Sequence, residues 1–159
     1  MKYTAKGTHN RHFELLDAND FALGKLDYTS WFTIKSEITL QDGTVYNLAS
    51  SNIWHTSIDV NSIDNTIASL KFNWKGQIVV SLQGGQTYMF KRKGFFNMHF
   101  GLFNEHEQEI IIVNQKFELA KLSFNYFIET DDNYKEGKDI VLVLLLVYCA
   151  NYMHNMHTA

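Results

Sequence analysis

Apolar and polar residues alternate along most of this chain. From Thr66 to Trp74, Ile67, Ser69, Lys71 and Asn73 stand against Ala68, Leu70, Phe72 and Trp74, the period of two expected of a half-buried strand. Phe32, Ile34, Ser36, Ile38 and Leu40 share a parity, as do Phe21, Leu23 and Lys25. Further short strands are expected within His12–Leu16, Thr44–Leu48, Ile53–Val60, Gln77–Leu82, Tyr88–Lys93, Phe95–Phe103, Ile110–Val113, Phe117–Phe124 and Asn125–Glu129. Turn sequences such as Gln41-Asp42-Gly43, Lys75-Gly76 and Gly84-Gly85 separate them, because glycine takes positive φ without steric cost. Met1–Asn10 is polar and mixed, and reads as an edge segment or a frayed end. The pattern predicts a meander of about 10–12 strands over about residues 11–130, at the turn spacing of sandwiches and barrels.

One stretch breaks the alternation. From Ile140 to Ala150 every residue is apolar or tyrosine, so a helix there is apolar around its whole circumference and must be surrounded. The uninterrupted run is about eleven residues, whereas a bilayer span needs about twenty. A barrel of about twelve strands is too wide for its own side chains to fill. The chain therefore reads as a single domain over 1–159, mainly β: an antiparallel closed barrel wrapped around a buried C-terminal apolar α-helix at about 138–155.

Composition supports this reading. Hydrophobic residues are 45% of the 159, aromatics 14% and charged residues only 19%, as a large, mostly buried sheet requires. The formal net charge of -3 gives no global attraction to nucleic acid, so none is expected as a partner. The one cysteine, Cys149, cannot form an intramolecular disulfide, and the N-terminal sequence has no apolar signal region, so a reducing cytoplasm is the expected compartment.

The segments Phe13–Leu26, Glu37–Tyr46, Ile67–Ile78 and Ile110–Leu122 repeat a strand–turn–strand pattern. An acidic loop and D-I-V-L-V-L-L-L-V-Y follow. In this order they resemble the tubby C-terminal domain, shared with phospholipid scramblases and LURP-one-related proteins. The resemblance spans nearly the whole chain and looks most like the small bacterial members. It implies a barrel around a central helix, a non-enzymatic role, and a phosphoinositide or other anionic lipid headgroup as ligand, with the chain peripheral at a membrane. The chain is shorter than the eukaryotic domain, and its lysines and arginines do not match that family's headgroup motif residue by residue.

Lys91-Arg92-Lys93 is the one basic cluster in sequence. With Lys71 and Lys75, and with Lys116 and Lys121 beyond them, it is the candidate ligand-binding patch, since ammonium and guanidinium groups hold phosphate by charge-assisted hydrogen bonds. Alternation splits it, with Lys91 and Lys93 on one face and Arg92 on the other. A solvated strand edge is the simpler reading. His154 and His157 share a helix face but lack an adjacent third ligand, so a polar helix end is expected instead. Glu129, Asp131, Asp132 and Glu136 lack the spacing of a calcium loop. Trp31, Trp54, Trp74, Phe95, Phe96, Phe100 and Phe103 are expected mostly in the core. No nucleophile, paired-carboxylate or phosphate-loop motif occurs, so neither a catalytic residue, a cofactor nor a metal is expected. The alternative to a lipid ligand is a protein–protein interaction or structural module. A small-molecule carrier would need an empty barrel.

Overall fold

In a computed structural model of the chain, which describes residues 1–29 and 35–157, twelve antiparallel strands close a barrel around one helix. The strands are β1 (Lys2–Thr8), β2 (His12–Leu16), β3 (Ala22–Tyr28), β4 (Ser36–Leu40), β5 (Val45–Ser50), β6 (Ser57–Asn61), β7 (Thr66–Phe72), β8 (Ile78–Leu82), β9 (Thr87–Lys93), β10 (His99–Phe103), β11 (Glu109–Glu118) and β12 (Ser123–Thr130). Each pairs with its neighbours in sequence, and β1 closes the ring on β12 with Tyr3 opposite Ile128 and Ala5 opposite Tyr126. The helix, α1, runs Ile140–His157.

The alternation works as expected where turns do not interrupt it. Ala68 and Leu70 of β7 and Ser36 and Ile38 of β4 are buried. Leu142 to Asn151, ten consecutive residues, are buried on every side of α1. The inward strand side chains and this apolar cylinder form one core cluster, and over these ten residues the helix has no face open to water. No helix of the described residues is long and apolar enough to cross a membrane. The helix fills the volume that a carrier would need open.

Several expectations are corrected. The first ten residues are not a frayed end: Tyr3, Ala5 and Gly7 point inward from β1, and their alternation was masked by small inward side chains. The barrel therefore begins at residue 2 rather than 11. On β3, where Phe21, Leu23 and Lys25 share a parity, the other parity faces inward: Gly24, Leu26 and Tyr28, with Phe21 and Lys25 exposed. A Cβ at Gly24 would lie 3.1 Å from Leu144 Cδ1, so glycine there admits the helix. β11 continues unbroken to Glu118. A short 3-10 turn at Leu119–Lys121, with Leu122 at φ 47°, replaces the strand expected there. The expectations for Trp31, Phe32 and Ile34 lie outside the described residues.

Both helix ends are tied to the barrel. Asp139 caps the first turn, its carboxylate accepting from Leu142 N at 3.1 Å. At the other end, Asn151 Nδ2 donates to Asn10 O at 3.1 Å and to Tyr28 Oη at 2.9 Å. A buried amide needs such partners, and these set the helix in one register.

Candidate functional site

The direction of each strand sorts the connections into two rims. The C-terminal end of α1 and the connections 9–11, 51–56, 73–77, 94–98 and 119–122 lie at one rim, together with Thr29 and Lys35. The N-terminal end of α1 lies at the other, with 17–21, 41–44, 62–65, 83–86, 104–108 and 131–139. Charge follows this division. The second rim carries Asp17, Asp20, Asp42, Asp64, Glu105, Glu107, Asp131, Asp132, Glu136 and Asp139, ten of the 17 acidic residues, against Lys135 and Lys138. At the first rim, 9–11, 51–56, 73–77, 94–98 and 119–122 contain no aspartate or glutamate. They contain Arg11, Lys75 and Lys121; Lys35 and Lys93 stand at strand ends beside them, as does one acid, Glu118.

The sequence cluster divides as alternation requires. Lys91 and Lys93 lie on the outer wall of β9, with their Nζ atoms 4.6 and 5.3 Å from the centre of the Phe103 ring. Arg92 turns inward, its guanidinium carbon 5.3 Å from the Phe100 ring centre. Opposite Lys91, Gly101 leaves the space into which Phe103 and Glu109 lean, since a Cβ there would collide with both. Glu109 pairs with His99 at 2.9 Å beneath the two lysines. This carboxylate offsets part of the positive charge, so the outer-wall patch is a mixed cluster rather than a phosphate cradle. Lys71 is exposed on β7, two strands away, and Lys75 sits on a turn at the basic rim.

The aromatics expected in the core divide sharply. Phe100 and Phe103 are buried. Trp54, Trp74, Phe95 and Phe96 are 77, 90, 86 and 93% exposed, because β6 starts only at Ser57, β7 ends at Phe72 and β10 starts only at His99. All four occupy connections of the basic rim, together with exposed Ile53, Met98, Leu119 and Leu122. Local hydrogen bonds hold these tips in shape. Asn73 Oδ1 accepts from Lys75 N and Gln77 N, each at 3.0 Å, while Gly76 takes φ +74°. Asn52 Oδ1 accepts from Thr56 N at 3.1 Å and its Nδ2 donates to Thr56 Oγ1 at 2.9 Å. The sequence did carry a signal for three of the four rings: N-W-K-G and K-G-F-F-N are turn sequences, in which an aromatic residue has no strand face to bury.

His154 corrects the expectation of a polar, unpacked helix end. Its ring stacks on Phe124 at 4.1 Å and meets Phe100 edge-on at 5.5 Å. Beside it the Tyr152 ring stacks on Phe72 at 4.1 Å. A pocket of about 140 Å³ opens there, lined by Phe72, Ile78, Tyr152 and Met153 with Asn73 and Gln77.

The acidic rim holds a polar cleft of about 340 Å³ that includes Tyr88, Glu105, His106, Lys135 and Glu136. Tyr88 Oη donates to Glu136 Oε1 at 2.6 Å. Desolvation and that carboxylate push the Tyr88 hydroxyl well above its ordinary range, so it stays protonated. The other acids of the segment are held structurally. Asp132 pairs with the N-terminal ammonium at 2.8 Å, Asp131 accepts from Asn133 N, and Asp139 caps the helix. The ammonium holds the Asp132 carboxyl below its usual range. Among the described residues no three His, Cys, Asp or Glu side chains gather as metal ligands. Cys149 is fully buried and burial pushes its thiol far up, which removes it as a nucleophile.

No family model and no curated protein matches the chain. A solved structure of a protein from Arabidopsis thaliana is similar in fold, with a TM-score of 0.54 at 16% identity over 90% of this chain and 88% of that one.

Proposed function

We propose that this chain is a non-enzymatic tubby-like module that docks on an anionic lipid surface through the basic rim of its barrel. The observation that carries this reading is the polarity of charge along the barrel axis. One rim collects most of the acids, and five connections of the other have none. In the field of an anionic bilayer such a molecule is oriented, with the basic rim toward the headgroups and the acidic rim toward water. Each lysine or arginine near such a surface contributes about 1 kcal/mol. Lys35, Lys75, Lys93, Lys121 and Arg11 together supply enough for reversible adsorption, and Lys71 and Lys91 add to it from the wall above. This moves the ligand-facing residues from the Lys91–Lys93 strand to the rim. A net charge of -3 does not oppose the reading, because the Debye length at physiological salt is about 8 Å and leaves the distant rim screened.

The test is co-sedimentation with phosphatidylcholine vesicles with and without phosphatidylserine, over a range of salt. Binding only to the anionic vesicles, weakening as salt rises, is expected. Equal behaviour with both compositions defeats the reading.

A further inference from the structure

We infer that the basic rim enters the bilayer interface end-on, with Trp54, Trp74, Phe95 and Phe96 as its inserted anchors. This rests on the anionic-surface reading above and adds to it an apolar contact, a set of residues and an orientation. Charge alone accounts for adsorption. It gives no reason for four exposed aromatic rings on three consecutive hairpin connections of the basic rim.

A bilayer interface is the environment whose chemistry matches this arrangement. Tryptophan and phenylalanine rings bury their apolar bodies at headgroup depth, and lysine stems reach back from there to water and phosphate. Apolar and basic groups are interleaved on this rim in that manner. Lys75 follows Trp74, its Nζ 5.5 Å from the ring centre. Lys93 stands one glycine before Phe95 and Phe96, and Lys121 lies between Leu119 and Leu122. A protein-binding surface differs on both counts, since lysine is depleted from interface cores. Here the rings also project from separate tips rather than forming one wall. The turn bonds of Asn73 and Asn52 hold two of the three tips in shape before contact, which lowers the ordering entropy that opposes insertion. The acidic rim offers no equivalent: its exposed Phe21 and Ile63 neighbour Asp20 and Asp64.

Phe96→Cys, labelled with an environment-sensitive thiol dye, tests the inference in the whole chain. Cys149 is fully buried, so the dye reports the introduced site. With mixed phosphatidylcholine–phosphatidylserine vesicles a blue shift is expected, with quenching by lipids brominated in their acyl chains. The same dye on Ile63→Cys is expected to stay unchanged. The fourfold variant Trp54→Ser/Trp74→Ser/Phe95→Ser/Phe96→Ser, with its fold checked by circular dichroism, should bind on the order of a hundredfold more weakly. Each half-buried ring accounts for roughly a factor of five or less in affinity. Vesicle binding with an unshifted, unquenched Phe96→Cys overturns insertion and leaves electrostatic docking in place. Failure of the unaltered chain to bind anionic vesicles at any salt overturns both readings. Burial of the dye by self-association without lipid, with indifference to vesicles, would assign the rim to a second copy of the chain and overturn the inference.

Discussion

The turns 73–77 and 104–108 sit at opposite rims of the barrel and are built alike. In each an asparagine opens the turn, accepting from the backbone N–H groups two and four residues on at 3.0 Å. In each its Nδ2 donates to the glutamine that closes the turn, at 3.2 Å for Asn73 and 2.9 Å for Asn104. The left-handed position falls at the same place, Gly76 at φ +74° and Glu107 at φ +58°. Between these shared bonds one turn carries Trp74-Lys75 and the other Glu105-His106. The conformation is satisfied by the asparagine, the closing glutamine and the left-handed residue. The two central side chains are exposed and contribute little to folding. Their difference is therefore a guide to what each rim faces, whereas differences on the barrel wall report packing.

Both rims depend on the helix that joins them, and the largest effect is expected there. Leu145→Asp places a carboxylate in a fully enclosed apolar position. An unpaired buried charge costs several kcal/mol, against a total stability of about 5–15 kcal/mol. Loss of the cooperative thermal transition and of near-ultraviolet dichroism is expected. A folded Leu145→Asp chain would mean that the rims stand without the helix.

The two helix anchors sharpen the comparison at a smaller scale. Asn151→Ala removes the amide that satisfies Asn10 O and Tyr28 Oη at the basic rim, and a loss of about 1–3 kcal/mol is expected for groups left unpaired. Asp139→Ala removes only the cap at the acidic rim, with an expected cost of about 1 kcal/mol. Urea denaturation of both variants checks the order.

Alkaline pH probes the same buried region. Burial pushes the hydroxyls of Tyr28, Tyr126 and Tyr148 above their ordinary range, although the Asn151 hydrogen bond partly opposes this for Tyr28. The unfolded tyrosines lose their protons near pH 10 while the folded ones keep theirs. The folded state then binds more protons, so stability is full below about pH 10 and falls as pH rises above it. A melting temperature flat between pH 7 and 9 and dropping above pH 10 is expected, with part of the tyrosine absorbance change appearing only on unfolding.

The smallest effect on stability belongs to the turns. Exchanging their contents, Trp74→Glu/Lys75→His at one rim or Glu105→Trp/His106→Lys at the other, should change stability by less than about 0.5 kcal/mol, because the sites are exposed and the turn bonds remain. The first exchange should weaken binding to anionic vesicles on the order of a hundredfold, reflecting one ring and two units of charge. Equal vesicle binding by that variant would remove the functional distinction between the rims.

The amino-acid sequence by itself determined the wall and the filling of this barrel. Period-two alternation chose the inward face of strands such as β4 and β7, and the apolar circumference of Ile140–Ala150 required enclosure. These are local consequences of burial, legible wherever neighbouring residues compete for one core. It missed β1, where Ala5 and Gly7 are too small to mark a face. It also placed Trp54, Trp74, Phe95 and Phe96 inside, since hydrophobicity without a strand end says nothing about exposure. Only the tertiary structure decided where each strand stopped, and therefore which rings became tips. It also decided that connections far apart in sequence share a rim, gathering ten of the 17 acids at one end and Trp54, Trp74, Phe95 and Phe96 with neighbouring cations at the other. A rim is assembled from every second turn of a closed meander, and strand direction in three dimensions, rather than proximity along the chain, selects its members.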